Sequence, residues 1–142
     1  MKPEELEPVV RIWIRSREAA QPWLEARMAY PPADTLRHFR EVIAAENEVW
    51  VAVAGGARVG FLALRAGFVD QLYVEPAAQR RGVGSALLDH AKRACPQGLA
   101  LFTHQANTRA RAFYERHGLQ PVAFGVSPSP ECEPDVRYAW KP

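Results

Sequence analysis

Leu72-Tyr73-Val74-Glu75-Pro76 runs through Ala77-Ala78 into Gln79-Arg80-Arg81-Gly82-Val83-Gly84-Ser85, and this stretch decides how the chain is read. A β-forming run that stops at proline and reopens on Gly-x-Gly before an apolar, helix-periodic segment is a strand-loop-helix unit. The first N–H groups of a helix have no partners within it, and its dipole adds partial positive charge there. Glycine at 82 and 84 lets an anion approach the main chain. Ser85 adds a hydroxyl donor, and Arg80 and Arg81 add mobile positive charge. Two other phosphate motifs fail: position 87 is leucine where a dinucleotide fingerprint needs a third small residue, and Gly84-Ser85-Ala86 is no Gly-Lys-Ser/Thr.

Downstream, Leu87, Leu88, Ala91 and Cys95 share one helical face until Pro96 and Gly98 stop it. Residues 99–103 read as a short buried strand. Asn107 is placed to cap a helix that runs to about residue 117 and ends at Gly118. Val122 and Phe124 alternate in one later strand, and Val136, Tyr138 and Trp140 in a final one. Upstream, residues 50–53, 59–64 and 68–74 read as a three-stranded antiparallel meander, turned at Gly55-Gly56 and Arg65-Ala66-Gly67. The first third reads as two helices. One carries Leu6, Val9, Val10 and Trp13; the other follows the break at Pro31-Pro32, with Asp34 as N-cap and Leu36, Phe39 and Ile43 as its buried stripe. The expected order is ααβββαβαββ, an α/β fold with a mixed, mostly antiparallel central sheet flanked by helices.

The 142 residues suffice for one core-forming domain without disulfide or metal staples, and 48% hydrophobic with 24% charged residues is ordinary for a folded chain. A net charge of +2 gives no argument for nucleic acid. Lys2, Lys92 and Lys141 are the lysines, so arginine supplies the other 15 of 18 basic residues; phosphate recognition and a GC-rich genome both account for that bias. Cys95 and Cys132 lack metal-ligand spacing and read as free thiols of a reducing compartment. The N-terminus is acidic and polar rather than signal-like, and residues 49–74 are too interrupted by glycine and charge to span a membrane. A cytoplasmic protein without membrane or nucleic-acid partners is expected.

Gln79-x-x-Gly82-x-Gly84, with Asn107, Ala110, Phe113-Tyr114 and Gly118-Leu119 at the right separation, resembles the coenzyme A loop and following helix of the GNAT superfamily of N-acetyltransferases. The likeness extends over most of residues 68–124. It implies one GNAT-like acetyltransferase domain over residues 1–142, acetyl-CoA as acyl donor, no metal, and transfer of acetyl to an amine by direct attack on the thioester. By that resemblance the amides of Arg80, Arg81, Gly82, Val83, Gly84 and Ser85 hold the pyrophosphate. The backbone of Leu72, Tyr73 and Val74 pairs with the pantetheine arm like an added strand, Val74 N–H meets the oxyanion, and Asn107 bonds the arm. Tyr114 corresponds to the general acid; as a residue it is equally half of a core aromatic pair with Phe113. A homodimer is common in the family.

The base is open. Where members that acetylate protein N-termini often carry glutamate, this chain has Phe102. Asp70, Gln71, Glu48 and His104 are candidates beside a water relay, and His104 reads equally as a polar residue leaving the sheet. The acceptor segments implied are residues 21–33, with Trp23, Met28, Tyr30, Pro31 and Pro32, and residues 125–135, with Glu131, Glu133 and Asp135. Their acids suit a cationic small-molecule or peptide amine, or are simply solvated. Two other classes stand beside the enzyme: a non-catalytic acyl-CoA sensor, and a nucleic-acid-associated module resting on Arg109, Arg111 and Arg116.

Overall fold

The computed structural model describes residues 1–28, 32–129 and 131–142, so Tyr30, Pro31 and Pro130 lie outside the described residues. A short 3-10 turn, Pro3–Glu5, leads into α1 (Leu6–Ala20), followed by α2 (Pro22–Met28) and α3 (Pro32–His38). From α3 the chain passes through a π-helical turn, Phe39–Ile43, into a final turn, α4 (Ala44–Glu46). The meander is β1 (Glu48–Ala54), β2 (Ala57–Arg65) and β3 (Phe68–Val74), and then come α5 (Val83–Ala94), β4 (Leu99–His104), α6 (Thr108–Arg116), β5 (Gln120–Val126) and β6 (Pro134–Trp140).

The six strands form one sheet in the order β1-β2-β3-β4-β6-β5, antiparallel except where β3 meets β4. Both meander turns have two consecutive positive-φ residues, Gly55-Gly56 at 57° and 79° and Ala66-Gly67 at 46° and 81°. That backbone matches the twist of the strands it joins. β2 shows why the sheet is central. Phe61 and Ala63 face α1 and the π turn, whereas Leu62 and Leu64 face α5, and all four are buried. Alternation along one strand thus feeds two cores. One core holds Val9, Val10, Trp13, Phe39 and Ile43; the other holds Leu87, Leu88, Ala91, Tyr114, Val136 and Tyr138.

Three sequence expectations are corrected. Residues 21–33, expected as a connecting segment, carry the additional helix α2. Asp34 lies inside α3 rather than at its cap and pairs with Arg37 instead. β5 is an edge strand exposed along its length, so the alternation of Val122 and Phe124 does not record burial: they stay 57% and 62% exposed. Arg111 covers the Phe124 ring from 5.9 Å, which accounts for some of that apolar face.

Candidate active site

β3 and β4 start side by side and then part. Their only register pair is Phe68 with Ala100, supported by Ala100 N–H donating to Gly67 O at 2.9 Å. On its other edge β3 is fully laddered to β2, ending with Glu75 N–H donating to Val59 O at 2.8 Å. In an antiparallel ladder alternate residues bond the same neighbour. The pairing of Tyr73 and Glu75 with β2 therefore turns the N–H and C=O of Leu72 and Val74 toward the gap. Val74 O accepts from Ser16 Oγ at 2.9 Å and Gln79 Nε2 at 3.2 Å, so its carbonyl is held while its N–H faces the opening. Sequence reasoning missed Ser16: one serine in an amphipathic helix carries no local signal.

The loop after β3 ends in a left-handed turn. Gly82, at φ 83°, is the N-cap of α5, and no side chain caps the first turn. Arg80 also has positive φ, 66°, and both arginines point from exposed positions. The donors of that turn remain available to an anion, so these residues fit a diphosphate. The two glycines differ in purpose. A Cβ on Gly82 would meet nothing within 4 Å, whereas one on Gly84 would sit 3.2 Å from Phe113 Cζ and 3.6 Å from Val74 Cγ2. Gly82 holds the left-handed turn and leaves open space beside it, and Gly84 also lets α5 pack closely against α6. Ser85 Oγ lies 2.8 Å from His117 Nε2, a partner the sequence did not disclose.

Asn107 caps α6 as expected, its Oδ1 accepting from Ala110 N–H at 3.2 Å. The cap leaves its amide N–H groups without a partner among the described residues. Tyr114 is buried against Phe113 and Tyr138, with ring centroids 5.3 and 6.0 Å away. Burial pushes its phenol well above the ordinary tyrosine range, and the nearby Tyr73 phenol adds to the shift. Tyr114 is thus a core aromatic that keeps its proton. Arg109 bonds Gln79 Oε1 at 3.2 Å and Arg111 bonds Tyr138 Oη at 3.1 Å, so the arginines of α6 do not form one stripe.

On the α1 side of the sheet opens a cleft of about 1540 Å³, lined among others by Gln21, Glu25, Asp70, Tyr73, His104 and Glu131. Gln71 lines it too, whereas Glu48 stands at the start of edge strand β1, away from this lining. Asp70 Oδ2 accepts from Asn47 Nδ2 at 2.9 Å and lies 3.9 Å from Arg65. His104 is held at both ring nitrogens, by Gln21 at Nδ1 (2.8 Å) and by Glu131 at Nε2 (3.4 Å). No free lone pair of His104 faces an incoming amine unless one partner lets go. Burial first, then surrounding carboxylates, raises the Tyr73 phenol, with Arg17 opposing.

The family model described as "Acetyltransferase (GNAT) family" matches residues 7–119. The chain belongs to the GNAT acetyltransferases, and it is an acyltransferase. Among its relatives is the peptidyl-lysine N-acetyltransferase YjaB of Escherichia coli (strain K12), 33% identical over 118 residues, which cover 82% of this chain and 77% of that protein. Another is the peptidyl-lysine N-acetyltransferase YiaC of the same strain, 29% identical over 83% of this chain and 79% of that protein. The solution structure of apo YjaB from Escherichia coli superposes with a TM-score of 0.82 at 28% identity, covering 99% of this chain and 93% of that one. The PaiA N-acetyltransferase of Thermoplasma acidophilum, solved in complex with coenzyme A, shares the GNAT fold at a TM-score of 0.70 and 19% identity, covering 100% and 96%. The parting of β3 from β4 and the first turn of α5 are the two features of this GNAT chain that suit a coenzyme A thioester. Among the described residues no helix is long and apolar enough to cross a membrane.

Proposed function

We propose that this enzyme transfers acetyl from acetyl-CoA to the ε-amine of a peptidyl lysine. The observation that carries this is the gap beyond Phe68 and Ala100, where the amides of Leu72 and Val74 lack a strand partner among the described residues, with buried Tyr114 in the core cluster that Leu72 and Val74 pack against. An extended pantetheine arm fills such a gap by main-chain bonding, with the amide of Asn107 as a further donor. The amides of residues 80–85 then take the pyrophosphate. Acetyl-CoA supplies the activated thioester carbonyl. Val74 N–H is the donor toward that carbonyl oxygen as the amine attacks and negative charge builds on it. The lysine ammonium gives up one proton to water before the neutral amine attacks. Tyr114, kept protonated by burial, gives its hydrogen bond and then its proton to the departing sulfur and regains one, through water, from the acylated nitrogen.

For the acceptor, the cleft on the α1 side carries Glu25, Asp70 and Glu131 around Tyr73, all of which act on the Tyr73 phenol electrostatically. A cationic amine suits that surface, and the relatives YjaB and YiaC bear the name peptidyl-lysine N-acetyltransferase. The test is thiol release from acetyl-CoA across lysine peptides, N-terminal peptides and free polyamines. Lysine peptides should give the highest kcat/KM; silence with all peptides and turnover of a polyamine would move the acceptor to small molecules.

A further inference from the structure

The hydrogen bond between Ser85 and His117 joins the first turn of α5 to the end of α6, and its polarity can be read from the partners. His117 Nδ1 lies 2.8 Å from the carbonyl oxygen of Phe113. A carbonyl only accepts, so Nδ1 carries a proton. In the neutral ring Nε2 is then an acceptor, and the Ser85 hydroxyl, 2.8 Å away, donates its single proton into it. In that state Ser85 has no proton left for a phosphate. In the imidazolium Nε2 is itself a donor; Ser85 becomes the acceptor of that bond, and its own O–H is released.

We propose that His117 is a positioning residue for the acetyl donor, and that its protonation turns the Ser85 hydroxyl into a donor to the coenzyme's diphosphate. This rests on the reading of residues 80–85 as the diphosphate cradle. Ser85 is the third residue of α5, inside the turn whose amides point at that cradle.

The surroundings of the ring allow the change. From α5, Lys92 donates Nζ to His117 O at 2.5 Å while its ammonium lies 5.1 Å over the Trp140 ring of β6. The ring sits at the C-terminal end of α6. Within α6 the Phe113 ring packs at 4.5 Å, Glu115 accepts from Tyr138 Oη at 2.6 Å, and Arg116 is exposed. No carboxylate bonds the ring among the described residues. A diphosphate beside Ser85 is therefore the anion that would favour the imidazolium, and by linkage the imidazolium favours the diphosphate.

The test is calorimetry of coenzyme A with the wild-type protein, Ser85→Ala, His117→Gln and the double variant, at about pH 6 and about pH 8.5, on either side of the ordinary histidine range. The ionisation of the ligand's own phosphates is common to all four proteins and cancels in the ratios. Ser85→Ala should weaken binding about tenfold at the lower pH, as for loss of one bond to a charged acceptor, and by less than about twofold at the higher pH. In the His117→Gln background the Ser85→Ala penalty should no longer depend on pH. Imidazole ¹⁵N shifts of the wild-type protein give an independent readout, and coenzyme A should raise the titration midpoint of His117. A Ser85→Ala penalty equal at both pH values, or a midpoint that coenzyme A leaves in place, overturns the proposal while the cradle stands. Wild-type protein that binds no coenzyme A at either pH removes the cradle and the proposal together.

Discussion

Gly84 and Phe113 touch where the first turn of α5 meets α6: a Cβ at position 84 would come within 3.2 Å of Phe113 Cζ and 3.3 Å of Cε1. Because Tyr114 is the next residue on α6, this contact links the turn that would hold phosphate to the helix that would deliver a proton. Gly84→Val should therefore act on the fold, costing about 1–3 kcal/mol by overpacking, read as a lower urea midpoint. Gly82→Val meets open space but must hold a left-handed backbone at φ 83°. It should weaken coenzyme A binding through a distorted turn, with the strain limited to roughly 1–2 kcal/mol. Equal midpoints and equal affinities for the two variants would show that these glycines are not specialised.

Tyr114→Phe removes one oxygen from a buried aromatic cluster and leaves the packing with Phe113 and Tyr138 in place. If the phenol serves the leaving sulfur, kcat should fall about 10²-fold or more, with the affinity for acetyl-CoA nearly unchanged. Single-turnover thiol release and calorimetry separate the two quantities. Undiminished turnover would leave Tyr114 only its core role.

The same burial has a consequence for stability. With its phenol raised, Tyr114 holds its proton in the folded chain above about pH 10, where the unfolded chain releases it. The unfolded state then binds fewer protons, so stability falls as pH rises, at up to about 1.4 kcal/mol per pH unit for each phenol so held. The contribution is whole below the ordinary tyrosine pKa and is lost above it. Tyr114→Phe should flatten that alkaline decline by one phenol's share in urea melts between about pH 9 and 11; Tyr73, also raised by burial, keeps part of it.

Much of this architecture was legible in the sequence because its signals are local. Paired positive-φ turns, the stop at Pro76, the left-handed turn at Gly82 and the apolar face of Leu87, Leu88 and Ala91 each act within a few residues. What was hidden depends on distant partners. The π turn at Phe39–Ile43 keeps Phe39 and Ile43 buried, and a single helical period does not distinguish it from a plain helix. Ser16 reaches Val74 across 58 residues and Ser85 reaches His117 across 32, so neither bond has a sequence spacing to betray it. β5 misled for another reason: alternation predicts a buried face only if something covers it, and a strand at the sheet edge has one neighbour.

His104 offers the last prediction, because the structure gives it a job other than the one its side-chain type invites. It ties Gln21, at the end of α1, to Glu131 in the loop before β6, and so joins two walls of the acceptor cleft. His104→Ala should raise KM for a lysine peptide about tenfold, the scale of one lost bond to a charged group, with kcat changed by less than about twofold. Steady-state kinetics across pH distinguish the roles. A collapse of kcat with KM intact, together with loss of the acidic limb of the kcat profile, would instead make His104 the group that takes the proton from the amine, released from Gln21 or Glu131 when the peptide arrives.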